Sequence, residues 1–208
     1  IIGILKAGCA YVALDPNAPG DRLKFIVEDS GAKMVVTCGK PGQNLKDLLD
    51  EEMIINLDSL SNLTNCSSEQ PKLSRAVTPE DVSYCLYTSG TTGTPKGCLI
   101  THENTVQFML AFSCLFAGHW DANSKYLQFA SFHFDVSVME QFWSWSVGIC
   151  VASAPRDLIF EDITGAIQQL GITHIDLTPS LARLIHPDDV PTLCKGAFIT
   201  GGEQLKQE

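Results

Sequence analysis

The stretch from Tyr87 to Gly97, YTSGTTGTPKG, concentrates the residue types that bind phosphate. It contains three glycines, four threonines, one serine and one lysine. Backbone N–H groups of a glycine-rich turn can converge on an anion, while hydroxyl groups add donors and a lysine adds positive charge. Glycine and threonine content alone is also typical of a mobile surface loop. The stretch therefore predicts either a surface loop or a site for the phosphates of a nucleotide.

The spacing within this stretch differs from that of the mononucleotide P-loop, G-x-x-x-x-G-K-[ST]. Lys96 lies three residues after Gly93, follows Pro95 and precedes Gly97. The Lys-Ser/Thr pair that would bind magnesium is missing. The motif therefore argues against a Walker-type NTPase.

Two aspartates in apolar surroundings are candidates for binding a substrate. Asp135 opens an apolar, aromatic helix in FHFDVSVME, where it either caps the helix or pairs, partly buried, with an ammonium group. Asp176 interrupts THIDLT, a strand otherwise suited to burial, and a buried carboxylate needs a partner. That partner is either Thr178 with backbone N–H groups, or a cationic or donor group of a ligand.

The cysteines and histidines indicate no metal site. The eight cysteines contain no C-x-x-C pair, and the five histidines have no ligand spacing. We therefore expect neither a zinc site nor a disulfide framework. His133 lies in an aromatic run and is expected to pack rather than to bind substrate. The cysteine usage and the lack of a signal-peptide pattern predict a cytoplasmic protein.

The elements that must position these residues alternate between apolar strands and helices. The predicted strands are KMVVTC, MIINL, VSYCLYT, KYLQFA, ICVAS, THIDLT and GAFIT. The predicted helices are PGDRLKFIVEDSG, NLKDLLDEE, ENTVQFMLAFSCLF, FDVSVMEQFWSWSVG, FEDITGAIQQLG and PSLARLIH. This alternation is typical of an α/β fold with mostly parallel sheets flanked by helices. Ligands in such folds bind at the carboxyl ends of strands, where the loops after CLYT, LQFA and AFIT lie.

Composition and charge exclude several kinds of partner. A net charge of -10 over 208 residues, with no basic block, argues against nucleic acid. No apolar run approaches the roughly 18 residues that a membrane span requires. The polar segment 58–79 divides the chain into halves, 1–80 and 81–208. Because the sequence lacks an initiator methionine and stops abruptly, we interpret it as a piece of a longer protein.

Four ordered motifs carry a family resemblance. YTSGTTGTPKG resembles the phosphate-binding signature of adenylate-forming enzymes, the superfamily of acyl-CoA synthetases, luciferases and the adenylation domains of non-ribosomal peptide synthetases. LKAGCAYVALDPNAPGDRLKFIVEDSGAKMVVT resembles the upstream signature of peptide-synthetase adenylation domains, with Ala13 where proline is common. FASFHFDVSVMEQF resembles the substrate-pocket segment, and LTPSLARLI with AFITGGEQL resembles the next pocket strands. The resemblance covers essentially all 208 residues.

The resemblance implies two βαβ-type subdomains of the adenylate-forming fold and an ATP-dependent ligase that activates an amino acid as its aminoacyl-adenylate. Magnesium would assist the reaction. The residues that would bind the ATP phosphates are Thr88, Ser89, Gly90, Thr91, Thr92, Gly93 and Lys96. Adenine and ribose would lie against Gly201, Gly202 and Glu203.

The resemblance also implies how the substrate is selected. Asp135 would pair with the α-ammonium group, because amino-acid-activating members carry Asp at this position. The positions that match the pocket wall are Val136, Met139, Asp176, Ile199 and Gly201. If Asp176 faces the pocket, ornithine or an N-hydroxylated ornithine derivative for a siderophore would fit.

By the same resemblance, the chain is the central part of a large N-terminal core and lacks the C-terminal small domain with the catalytic lysine. We expect no complete catalytic set in it, and no activity of the piece alone. Its partners would be condensation domains and a carrier domain whose phosphopantetheine thiol accepts the amino acid, in secondary metabolism. The alternatives are an acyl- or aryl-acid CoA ligase of the same superfamily, or a truncated module that binds nucleotide without catalysis.

Overall fold

The structure is a computed structural model that describes residues 1–39, 50–59, 67, 69–89 and 94–204. The chain divides into two compact units, residues 1–105 and 106–208. Most of the predicted helix NLKDLLDEE lies outside the described residues. Within them, no helix is both long and apolar enough to cross a lipid bilayer.

The first unit contains two small sheets. Its helices and strands are α1 (Ile2–Lys6), β1 (Tyr11–Val12), α2 (Gly20–Ser30), β2 (Val35–Thr37), β3 (Ile54–Asn56), β4 (Val82–Thr88) and β5 (Lys96–Thr101). One sheet has the order β1-β4-β5, with β1 parallel and β5 antiparallel to β4. The other sheet is the parallel pair of β2 and β3.

Helix α2 shows how the sequence builds the core of this unit. It buries Leu23, Ile26 and Val27, and Leu23 and Val27 pack with Val35 of β2. The helix ends at Gly31, whose φ of 63° is left-handed. A residue with a Cβ adopts that conformation only with strain, so glycine stops the helix here as the sequence predicts.

The boundary between the compact units differs from the predicted one between residues 80 and 81. Strand β4 pairs with β1 through Tyr11–Tyr84 and Val12–Cys85, and β5 pairs with β4. These pairings place both strands in the first unit, and the division falls at Thr105, inside helix α3 (His102–Leu115).

The second unit is a parallel sheet covered by short helices. Its elements after α3 are β6 (Lys125–Leu127), α4 (Val136–Val138), a π-helical turn (Met139–Trp143), α5 (Ser144–Val147), β7 (Cys150–Ala152), α6 (Arg156–Glu161), α7 (Ile163–Leu170), β8 (His174–Leu177), α8 (Pro179–Ala182) and β9 (Ala197–Thr200). Two 3-10 turns lie between α8 and β9, at Pro187–Asp189 and Leu193–Lys195. The strand order is β7-β6-β8-β9, and all neighbouring strands are parallel.

Buried residues cover both faces of this sheet. Ile175 and Leu177 of β8 pack with Ile163 and Ile167 of α7 on one face. Successive strand residues point to opposite faces, so His174 and Asp176 point to the other face. There, Tyr126 packs with Trp143 of the π-helical turn. The predicted α/β fold with mostly parallel sheets flanked by helices is confirmed.

Candidate functional site

The β4–β5 hairpin positions the two ends of the predicted phosphate-binding stretch. Thr88 and Lys96 are paired across the hairpin, so their Cα atoms lie side by side where the stretch begins and ends. Thr88, Ser89 and Lys96 are all exposed. Gly90, Thr91, Thr92 and Gly93 lie outside the described residues. The structure therefore describes the two ends of this stretch, where Lys96, which carries an ammonium group, is paired with Thr88, which carries a hydroxyl group.

The base of the hairpin is closely packed around Gly97. A Cβ on this residue would lie 3.1 Å from the Cys85 Sγ and 3.2 Å from the Tyr87 Cζ. The Tyr87 hydroxyl donates a 2.6 Å hydrogen bond to Asp29 of α2. Burial, followed by the Asp29 carboxylate, raises the pKa of Tyr87 above its usual value, so the hydroxyl keeps its proton and remains the donor. The close approach explains why a glycine follows Lys96.

Asp135 caps helix α4 at its N-terminus. Its Oδ1 accepts a 2.9 Å hydrogen bond from the backbone N–H of Val136, and the side chain is exposed. Of the two interpretations drawn from the sequence, the capping one is seen directly. It does not exclude the other, since no described group donates to the second oxygen, Oδ2.

Asp176 is half-buried on β8, with Ile199 of β9 directly opposite it in the sheet. No N–H or O–H of the described residues donates to its carboxylate, so the alternative in which Thr178 and backbone N–H groups are its partners is not seen. Burial, followed by the negative charge of Asp135, raises the pKa of Asp176 to about 6. Asp176 thus has a like-charged neighbour and, among the described residues, no donor to its carboxylate.

The apolar residues predicted for the pocket wall lie together. Val136, Met139 and Ile199 all pack in one cluster with Tyr126 and Trp143. Met139 is almost completely buried, and the Tyr126 hydroxyl lies 4.0 Å from its Sδ. The structure therefore brings four of the five predicted wall residues, these three and Asp176, to the same face of the sheet.

Glu140 belongs to this region, although it is absent from the predicted set. It is fully buried, and its carboxylate accepts hydrogen bonds from the backbone N–H groups of Phe129 and Ala130 at 2.9–3.1 Å. Burial raises the pKa of Glu140 to about 7, although these bonds oppose the rise. The sequence carries a signal for it, because a carboxylate between Met139 and Phe142 interrupts an apolar helix as Asp176 interrupts a strand.

The predicted adenine and ribose residues follow β9. The Gly201 N–H donates to the Leu177 carbonyl at 3.3 Å, and no heavy atom lies within 4 Å of the place a Gly201 Cβ would take. Glu203 accepts hydrogen bonds from the Ser180 N–H at 3.1 Å and from the Ser180 hydroxyl. The Ser180 hydroxyl lowers the pKa of Glu203. Gly202 has the left-handed φ of 84°.

Magnesium has no preformed cage in the part of the chain that the structure describes. No group of three or more histidine, cysteine, aspartate or glutamate side chains is arranged there to hold a metal ion. Magnesium in nucleotide sites commonly keeps water and is bound through one or two carboxylates plus the substrate phosphates. Magnesium bound in that way would require no cage of protein ligands.

Known proteins match the whole chain. The family model described as AMP-binding enzyme matches residues 1–208. Nonribosomal peptide synthetase 2 of Cochliobolus heterostrophus is 62% identical over 210 residues, which cover 100% of this chain and 4% of that protein. The hydroxamate-type ferrichrome siderophore peptide synthetase of Schizosaccharomyces pombe is 49% identical over 208 residues, again 100% of this chain and 4% of that protein. The chain thus spans about 4% of the length of these relatives.

Solved structures match the fold. The N-terminal domain of FACL13 from Mycobacterium tuberculosis superposes with a TM-score of 0.80 at 20% identity, covering 99% of this chain and 53% of that one. At this identity the likeness supports the architecture of strands and helices and nothing about substrate.

Proposed function

Because this chain belongs to the AMP-binding enzyme family, we propose that it is part of an enzyme that uses ATP to activate an amino acid. The substrate carboxylate attacks the α-phosphorus of ATP, an aminoacyl-adenylate forms, and pyrophosphate leaves. The amino acid then passes to the phosphopantetheine thiol of a carrier domain, and AMP is released. The relatives named as peptide synthetases support this assignment.

The observation that supports the amino-acid assignment is the proximity of two carboxylates, Asp135 and Asp176. Asp135 and Asp176 are close enough for the charge of one to raise the pKa of the other, and no described donor neutralises Asp176. Losing one partner of a desolvated charge pair costs on the order of 2–5 kcal/mol. A ligand that brings an ammonium group to these carboxylates supplies the missing partner, whereas an acyl or aryl acid without an amino group does not.

The chemistry requires positioning and charge neutralisation more than covalent participation by the protein. The Lys96 ammonium and the Thr88 and Ser89 hydroxyl groups would contact the phosphates that become pyrophosphate. Gly90, Thr91, Thr92 and Gly93 would complete that contact, and Gly201, Gly202 and Glu203 would hold the adenine and ribose. Magnesium, when bound, would neutralise phosphate charge.

The substrate that suits this wall carries a second cationic or donor group. Asp135 would bind the α-ammonium group, and Asp176 would receive the δ-amino group of ornithine or the N–OH of a hydroxylated derivative. Val136, Met139, Ile199 and Gly201 would surround the aliphatic part. The name of the Schizosaccharomyces pombe relative, a hydroxamate-type siderophore synthetase, agrees with such a substrate. Carrier and condensation domains of one cytoplasmic synthetase would be the partners.

The test is ATP–pyrophosphate exchange by the complete adenylation domain of the parent protein. The panel contains L-ornithine, N5-hydroxy-L-ornithine and its N5-acyl forms, L-leucine, L-phenylalanine, octanoate and benzoate. We expect exchange with an ornithine derivative. Faster exchange with leucine or phenylalanine would refute the role of Asp176, and exchange with octanoate or benzoate alone would refute amino-acid activation.

A further inference from the structure

Glu140 is the one fully buried carboxylate among the described residues. It lies in the π-helical turn, at 0% exposure. In the described part of the chain, no lysine, arginine or histidine forms an ion pair with it. Its partners are the N–H of Phe129 at 3.1 Å, the N–H of Ala130 at 2.9 and 3.1 Å, and the Gln128 amide nitrogen at 3.4 Å.

Such a carboxylate is a poor choice for packing alone. Taking a carboxylate out of water costs free energy, and the neighbours Met139 and Trp143 are apolar and buried. The free energy spent on desolvating Glu140 is therefore better explained by what its hydrogen bonds hold in place.

The hydrogen bonds of Glu140 close a ring of chain around Asp135. Phe129 and Ala130 follow β6, whereas Glu140 follows α4, and Asp135 lies between them in the sequence. The segment is also fixed at its start, because the Gln128 N–H donates to the Ala152 carbonyl of β7 at 2.8 Å. The carboxylate therefore ties both sides of the Asp135 turn to the end of the sheet.

Within the ring, local hydrogen bonds transmit this restraint to Asp135. The Phe134 N–H donates to the Ser131 carbonyl at 2.9 Å, and the Ser137 hydroxyl donates to the Phe134 carbonyl at 2.7 Å. The Val138 N–H donates to the Asp135 carbonyl at 2.9 Å. The position of the Asp135 carboxylate therefore depends on the backbone that Glu140 holds.

We propose that Glu140 is a positioning residue for amino-acid recognition: its buried carboxylate fixes the turn of residues 129–135 so that Asp135 meets the substrate's α-ammonium group. This inference rests on the proposed function of Asp135. Glu140 itself does not touch the substrate. Its removal should therefore impair discrimination for the amino group while leaving reaction with an acid that lacks it.

The test compares L-ornithine with 5-aminopentanoic acid, which lacks only the α-amino group. The quantity measured is the ratio of the two kcat/KM values in pyrophosphate exchange by the complete adenylation domain. The variants are Glu140→Gln, Asp135→Asn and the double variant. Glutamine keeps one acceptor oxygen but turns an NH2 donor towards backbone N–H groups, so it breaks the ring at almost constant volume.

The matched control is Gln141→Met. Gln141 is buried in the same turn and donates to the Ser137 carbonyl at 2.8 Å, without contact to residues 128–130 in the hydrogen bonds described. Its loss should lower thermal stability to a similar degree and leave the ratio within twofold of the wild type.

We expect Glu140→Gln to lower the ratio at least tenfold. In the double variant, Glu140→Gln should lower the ratio no further than Asp135→Asn alone does, because coupled residues give non-additive effects. An unchanged ratio, or an equal fall of both kcat/KM values, would overturn the inference and leave Glu140 a structural residue. If Glu140→Gln does not fold, Glu140→Asp, which keeps the charge but shortens the reach, is judged by the same ratio. Wild type without amino-acid-dependent exchange would instead refute the proposed function, which is a separate result.

Discussion

At the scale of single residues, three carboxylates and one phenol share the wall beside β6 and β8. Burial, followed by the charges of Asp176 and Glu140, raises the pKa of Tyr126 well above its usual value. Burial, followed by the charge of Asp135, likewise raises the pKa of Asp176. Burial raises the pKa of Glu140, and the charge of Asp176 adds to that rise. Each negative charge therefore disfavours ionisation of its neighbour, and a cation placed beside Asp135 and Asp176 would be attracted by both.

The side chain of Asp176 gives the sharpest test of this arrangement. We expect Asp176→Asn to lower kcat/KM for an ornithine-type substrate roughly 10- to 100-fold, because a hydrogen bond to a charged group contributes about 1.5–3 kcal/mol. The KM for ATP should stay unchanged in pyrophosphate exchange. Asp157→Asn, a change of an exposed carboxylate on α6, is the control. Equal effects of the two variants would contradict a role of Asp176 in the pocket.

The titration of Glu140 predicts how stability depends on pH. Its pKa is raised from 4.5 to about 7 in the folded protein, so the folded state holds this proton more tightly than the unfolded state. The contribution of Glu140 protonation to the free energy of unfolding is therefore fully present below about pH 4.5. It is lost as pH rises to about 7, and the total loss is about 3 kcal/mol.

Glu140→Gln removes that dependence. The free energy of unfolding of wild type minus that of the variant should fall between about pH 5 and about pH 7 and then stay constant, as measured by urea unfolding. The pKa of Asp176 is also raised, and this residue is present in both proteins. Its contribution to the pH dependence therefore largely cancels in the difference. Parallel pH profiles for the two proteins would show that Glu140 has an ordinary pKa.

At the scale of elements, the entry into β9 depends on a close approach of two backbones. A Cβ on Gly196 would overlap the Thr173 carbonyl oxygen and lie 2.8 Å from the His174 Cε1. The same carbonyl accepts the Ala197 N–H at 3.2 Å, which begins the pairing of β9 with β8. Since β9 carries Ile199 opposite Asp176, this glycine secures the register in which these two residues are paired.

Gly196→Ala should therefore destabilise the adenylation domain by about 1–3 kcal/mol, the usual range for overpacking. Thermal unfolding measures the loss. The control is Gly3→Ala in helix α1, where nothing lies within 4 Å of the added Cβ and where alanine favours the helix. A variant at Gly196 as stable as the one at Gly3 would mean that the two backbones are farther apart.

Local signals predicted where most elements lie, but not their internal breaks. The segment FDVSVMEQFWSWSVG was predicted as one helix, and it contains a π-helical turn between two short α-helices. The segment FEDITGAIQQLG was also predicted as one helix. Asp162 interrupts it with an extended φ of -148° and caps α7 through the Gly165 N–H at 2.8 Å. An apolar period of 3.6 residues continues across such breaks, so periodicity alone does not reveal them.

At the scale of the whole molecule, motifs and alternating elements were enough to predict the fold class and the family. The resemblance also assigned Asp176 and Ile199 to one pocket wall, although their direct pairing depends on the strand order β6-β8-β9, which no local pattern specifies. Glu140 interrupts an apolar helix in the sequence, but its role could not be predicted, because its partners are backbone groups 10 and 11 residues away and the sequence does not identify a backbone donor. The roles of Gly90, Thr91, Thr92 and Gly93 remain predictions.

The order of strands in the second unit predicts a ranking of hydrogen exchange. Strand β8 lies between β6 and β9, and its residues Ile175 and Leu177 are 0% and 1% exposed. Strand β7 is at the edge of the sheet in the described part of the chain, and none of its residues is buried. Amides in buried central strands open mainly through global unfolding, whereas edge strands open locally.

In the complete adenylation domain we therefore expect the amides of β8 to exchange more slowly than those of β7, by deuterium uptake followed with mass spectrometry. Low urea should accelerate β8 more steeply than β7, since exposure of more surface raises the dependence on denaturant. Equal rates and equal urea dependence in both strands would contradict the strand order on which the facing positions of Asp176 and Ile199 depend.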